Sequence, residues 1–265
     1  MRASINLQSS HIASRFKPLQ YPWIYVFLIM VAEFVTSYYL HAGILIHLCI
    51  LGSLLVHSVM LEDKSVANLL TAMTVAPLIR ILGLSTPLVH FSQITWFAIV
   101  SVPMFIAGIT IARMQNLSVE QVGLSPPKKK YFPLEAAVVV LCIPVGFLEY
   151  YLLRPSALVS LNLHEAIAPA LVLIGNTGFL EEVIFRGLLQ YHATRIAGFH
   201  GIILVSVLFG VLHITNLVFW DAVLAAAVGL LFALVVRKTG SVWGMSLAHG
   251  MVNVTLFIIA PNLID

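Results

Sequence analysis

The stretch IAPALVLIGNTGFLEEVIFRGLLQ, residues 167–190, decides how this chain folds. As an α-helix it would be about 36 Å long at about 1.5 Å per residue, enough to cross the roughly 30 Å hydrocarbon core of a bilayer. Its charges are confined to Glu181, Glu182 and Arg186, so it reads as a membrane span with a polar knot inside it. The rest of the chain has the same character. Of 265 residues only 9% are charged, against the roughly 25% usual in soluble domains. Hydrophobic residues make up 60% and the mean hydropathy is +1.00. One core of this size cannot hide so much apolar surface, which leaves lipid as the solvent for the excess. The apolar runs are continuous rather than alternating in segments of about ten, so a transmembrane barrel is excluded and helices are the spanning solution. The expected fold class is all-α, a polytopic helical membrane protein with eight or nine transmembrane helices. A soluble globule, a disordered chain, a fibre and a nucleic-acid partner are excluded by the same numbers.

Apolar windows fall within Tyr21–Leu40, Gly43–Met60, Val66–Leu84, Leu88–Ala112, Phe132–Leu153, Ile167–Gln190, Gly201–Leu217, Val218–Val236 and Val242–Ala260. The third contains Arg80 and Pro77, and the seventh and eighth meet at Leu217, so eight spans plus one re-entrant or interfacial helix is the alternative. With the N-terminus in the cytoplasm, eleven of the fourteen Lys and Arg residues face inward, including Arg2, Arg15, Lys17, Arg113 and Lys128 to Lys130. Arg80 and Arg154 face out and Arg186 stays inside a span. That distribution obeys the positive-inside rule and suits nine spans in a cell membrane with the C-terminus outside. The polar stretch Gln115–Tyr131 divides four leading spans from five trailing ones. The chain thus reads as a cytoplasmic tail over 1–20, accessory helices over 21–112, a cytoplasmic linker over 113–131 and a chemical core over 132–260. No small-residue cleavage site precedes the first span, so that span is expected to be retained. No internal repeat is visible, which weighs against an inverted-repeat transporter.

Polar side chains at membrane depth are costly, so their positions carry the chemistry. Glu182 and Arg186 are four apart and share a helix face, whereas Glu181 points about 100° away and is free for another task. The next span carries Phe209-Gly-Val-Leu-His213 and the last carries His249-Gly-Met-Val-Asn253, whose spacing puts imidazole and carboxamide on one face. From the window edges, Glu181, His213 and His249 fall roughly 10 to 20 Å from the cytoplasmic boundary. A glutamate beside an imidazole can hold a water and take its proton. A His and an Asn on one face can supply the donors that an oxyanion needs.

Taken together, Glu181-Glu182-x-x-x-Arg186, Phe209-x-x-x-His213 and His249-x-x-x-Asn253, in this order on successive C-terminal helices, resemble the three motifs of the CPBP intramembrane proteases. That family includes CAAX prenyl endopeptidases and bacteriocin-processing or bacteriocin-immunity proteins. The resemblance covers about Phe132 to Ala260. It implies that Glu181 activates water with His213, that His249 and Asn253 stabilise the oxyanion, and that Glu182, Arg186 and Phe209 support the site. The implied substrate is a membrane-anchored or lipidated protein, with a prenylated C-terminus as the family analogy. Members have been described both as metalloproteases and as metal-independent glutamate proteases. Glu181, His213 and His249 could form three zinc ligands, but there is no HExxH, since His164-Glu165 is followed by Ala, Ile and Ala. The expectation is therefore an enzyme without a metal cofactor. The rival class is non-proteolytic: a proton-coupled transporter, or an immunity or peptide-binding protein.

Other polar residues read more plainly. Glu33 sits in the first span with no evident partner. His41, His47, His57 and His90 suit interhelical bonding or the interface. Glu149, Asp221, Trp96 and Trp220 read as interfacial anchors or solvated groups near span ends. Cys49 and Cys142 lack a CxxC partner, so neither a disulfide framework nor a thiolate metal site is expected.

Overall fold

A computed structural model describes residues 19–86 and 91–264. The expected tail with Arg2, Arg15 and Lys17, the start of the fourth window, and His90 lie outside the described residues. Among the described residues there is no strand, and nine helices are long and apolar enough to cross a membrane. They are α1 (Gln20–Tyr38), α2 (Leu40–Met60), α3 (Lys64–Ser85), α4 (Gln93–Met114), α5 (Lys129–Leu153), α6 (Leu163–Ala197), α7 (Phe199–Asn216), α8 (Phe219–Thr239) and α9 (Trp243–Ile264). This is the nine-helix form of the expected fold.

Local chemistry sets the boundaries. Asp63 caps α3 by accepting from the backbone N–H groups of Ser65 and Val66, and Ser92 caps α4 by accepting from Thr95 N, which starts that helix later than hydropathy alone suggested. Within α3 the helical pattern breaks at Thr74, between Lys64–Met73 and Val75–Ser85. Pro77 has no N–H to offer Met73, so it is tolerated only as the first turn of a new helix. Asn162 caps α6 by accepting from His164 N, and Gly198, at φ +54°, ends it. That helix overruns its predicted window at both ends. In its middle, Leu173–Phe179 and Val183–Leu189 are wound as π-helix on either side of Leu180–Glu182. Such widening is found mostly where a helix carries function.

In the assembly, α1 packs on α2, α2 on α3, and α7 on α8, while α9 lies against both α5 and the middle of α6. Two large apolar clusters result, with two small ones of three buried residues each. The largest draws on α1 to α4, α6 and α7, so the four leading helices share their core with the trailing half. The second joins α5, α8 and α9. The polar residues of α6 lie along the seam between these two.

Backbone contact brings α6 and α9 together there. A Cβ on Gly178 would sit 2.7 Å from Ser246 O and from Gly250 N, and one on Gly250 would sit 2.7 Å from Ile174 Cα. Small residues let helices approach this closely. Gly178→Ala or Gly250→Ala should therefore destabilise the protein by about 1–3 kcal/mol through overpacking. Gly175→Ala, whose added carbon meets nothing within 4 Å, should not; thermal unfolding of the purified protein in detergent compares the three.

Candidate active site

The site is organised around one oxygen. Glu182 is fully buried, and its Oε1 accepts from Arg186 Nη1 at 2.9 Å, the pairing that their spacing implies. The same oxygen lies 2.9 Å from His249 Nδ1, a second contact that sequence spacing did not reveal. A carboxylate only accepts, so Nδ1 carries the proton and the imidazole of α9 is tied to α6. The guanidinium of Arg186 lies 4.4 Å from the ring centre of Phe209 and 5.7 Å from that of Phe232, where ring faces attract a desolvated cation. Phe209 also meets His249 edge to face at 5.8 Å.

Glu181 turns the other way. Its side chain is 33% exposed, and Oε2 lies 3.9 Å from His249 Nε2, beyond direct hydrogen-bond reach. It lines a cavity of about 400 Å³ together with His213, His249, Asn253, Thr177 and Glu149. A second cavity of about 180 Å³ shares Glu181 and His213 as part of its wall and is also lined by Arg80 and Asn216. All four residues expected to act in catalysis therefore border one space.

Two further orientations are fixed. His213 Nδ1 lies 2.9 Å from the Phe209 carbonyl, which can only accept, so the neutral ring presents Nε2 as a base. Asn253 Nδ2 donates to Thr177 Oγ1 at 2.8 Å. Thr177 spends its own proton on the Leu173 carbonyl, so its hydroxyl oxygen can only accept and fixes which end of the carboxamide faces it. That leaves a second N–H on Asn253. Thr177 was missed by the sequence reading, although its position four residues before Glu181 puts it on the same helix face.

Three expectations are corrected. Asp221 is fully buried and accepts from Asn216 Nδ2 at 2.7 Å. Glu149 interacts with it and lines the cavity, so the two carboxyls are partners of one another and not separate anchors at the span ends. Glu33 does have partners: Arg80 Nε at 2.6 Å and His47 Nε2 at 3.5 Å. The ends of the helices that carry the site also differ. Glu181 and His213 lie about 24 Å and 21 Å along their helices from Ala197 and Phe199, at about 1.5 Å per residue, because α6 and α7 extend further than their windows. Gln93, Leu153, Pro155 and Asn216 line the larger cavity, so it reaches the end of the bundle opposite the Lys128–Lys130 linker.

The fold and site define a polytopic helical membrane protein with a carboxylate, two imidazoles and a carboxamide around an internal cavity. Residues 163–255, from α6 into α9, match the family described as type II CAAX prenyl endopeptidase Rce1-like. The match falls on the segment that carries the three motifs, and α1 to α5 lie outside it. No curated protein and no solved structure matches the chain.

The two adjacent glutamates should separate cleanly in stability. Glu182→Gln leaves Arg186 buried without its counter-charge and should cost about 3–5 kcal/mol. Glu181→Gln, partly exposed and without a hydrogen bond among the described residues, should stay within about 0.5 kcal/mol of wild type. Equilibrium unfolding in detergent micelles measures both.

Proposed function

We propose that this chain is an intramembrane endopeptidase that hydrolyses a peptide bond of a membrane-anchored or lipidated protein. The observation that carries the reading is the shared cavity, with Glu181, His213, His249 and Asn253 on its wall and the ring and amide orientations fixed from behind. In this scheme a water sits between Glu181 and His213 Nε2. Glu181 takes one of its protons as the oxygen attacks the carbonyl carbon, and that proton then passes to the departing amine as the C–N bond breaks. The charge that develops on the carbonyl oxygen is met by the free N–H of Asn253 and by His249, which for that role must carry a proton on Nε2 as well as on Nδ1. Glu182, Arg186 and Phe209 touch no reacting atom; they hold His249 and α6 in register.

Zinc was the alternative way of activating the water. Among the described residues no group of three or more His, Cys, Asp or Glu side chains is arranged to hold a metal ion. The proposal therefore routes no step through a metal. Proteolysis should accordingly persist after treatment with a strong zinc chelator; complete loss restored by added zinc would refute the metal-free scheme.

The direct test compares protein termini in membranes of cells carrying wild type or Glu181→Gln at matched expression. New termini present only with wild type establish proteolysis and name the substrate and the bond. With a substrate in hand, Glu181→Gln and His213→Ala should each lower kcat by about a hundredfold or more. Asn253→Ala should lower it by about a hundredfold to a thousandfold. Identical termini in both cell lines would point instead to a protein that binds its peptide without cutting it.

A further inference from the structure

The leading helices lie outside the family match, yet one of their side chains reaches the reaction centre. Arg80 of α3 donates from Nε to Glu33 Oε1 of α1 at 2.6 Å, and His47 Nε2 of α2 lies 3.5 Å from the same oxygen. Glu33 and His47 are completely buried, whereas the Arg80 side chain keeps 20% exposure. It borders the 180 Å³ cavity whose wall includes Glu181, Phe209 and His213, and it is within electrostatic reach of His213.

A buried ion pair is weak evidence for stability, since apolar residues of similar volume often serve as well or better. Ionisable groups inside spans more often mark a ligand or proton path. The geometry favours a ligand. Glu33 engages Nε and so fixes the plane of the guanidinium, while the bond leaves the two Nη groups uncommitted. A planar fork of N–H donors held in this way matches the two oxygens of a carboxylate. Among the described residues Arg80 is the one Lys or Arg lining either cavity; Glu181 and Glu149 are acidic, and the other donors there, His249 and Asn253, are assigned to the oxyanion in the proposed scheme. Arg80 is the donor left over for a carboxylate that a peptide brings into this space.

We infer that Arg80, positioned by Glu33, is a substrate-binding residue that takes a carboxylate of the peptide within a few residues of the bond to be cut. The inference rests on the proteolytic reading for the identity of that bond, and on the Arg80 cavity for the binding. The carboxylate has two sources: the free C-terminus of a chain that ends shortly after the bond, or an Asp or Glu side chain near it.

The test measures binding in the Glu181→Gln chain reconstituted in lipid nanodiscs, so that turnover does not enter. Three dye-labelled farnesylated peptides of neutral Ser/Ala sequence serve as probes, followed by fluorescence anisotropy. One has a free C-terminal carboxylate, one is C-amidated, and one is C-amidated with a single Glu beside the lipidated residue. One carboxylate probe should bind about tenfold more tightly than the plain amide, or better, and which of the two gains identifies the source. Adding Glu33→Gln with Arg80→Gln, so that no buried carboxylate is orphaned, should abolish the difference. Arg80→Lys, a point charge without the fork, should keep only part of it, and this variant decides the matter if the double change fails to fold. Equal affinity for all three probes, no binding of any, or a preference that survives removal of the guanidinium would overturn the inference. Arg80-dependent binding without terminus changes in cells would leave the subsite standing and remove the protease reading. Proteolysis with no dependence on Arg80 would do the reverse.

Discussion

The demand that a charge inside hydrocarbon be matched by an opposite one governs this molecule. Glu182 Oε1 answers it twice, toward Arg186 on its own helix and toward His249 on α9. The second contact is not available to an isolated helix in lipid, so the imidazole makes α6 and α9 dependent on one another. The glycines that let the two backbones touch and the aromatic rings around the guanidinium follow from the same demand. With one carboxylate consumed in holding the helices, its neighbour is left partly exposed and, among the described residues, without a hydrogen bond.

The position of the site follows from packing. The two large apolar clusters meet along α6, and the polar residues occupy the seam that neither of them fills. Polar groups from α5 and α7 to α9 turn toward this seam because lipid lies on the other side. The leading helices are part of the arrangement: α1 packs on α7, and α3 brings Arg80 to the cavity wall. A core assembled from the trailing helices alone would lack one side of that smaller cavity.

Much of this was legible in the sequence, for identifiable reasons. Helix number follows from runs of apolar residues matched to bilayer thickness, and the nine windows correspond to nine helices. The relation of Glu182 to Arg186, and that of His249 to Asn253, are matters of helical period within one segment. What the period cannot supply is partnership between helices. Glu33 seemed alone because Arg80 lies 47 residues away, and Asp221 and Glu149 seemed peripheral because distance from a helix end says nothing of what covers that end. The contact of Glu182 with His249, 67 residues apart, was hidden for the same reason. Helix starts were misplaced because caps such as Ser92 and Asn162, not hydropathy alone, decide where helices begin.

The two π-wound stretches of α6 carry a consequence for how this segment tolerates change. They bracket Leu180–Glu182 and set the rotation at which the two glutamates leave the helix. Deleting or inserting a single residue between Gly178 and Arg186 would turn everything beyond it by about 100°, which is roughly the angle separating Glu181 from Glu182. With the change before Glu181, one glutamate would take the direction of the other and the second would turn away from both positions, without either being lost from the chain. Side chains in this segment can be exchanged one for another, but its length is a fixed quantity, and a helix that keeps every residue type yet gains or loses one position would have the same composition and none of the chemistry.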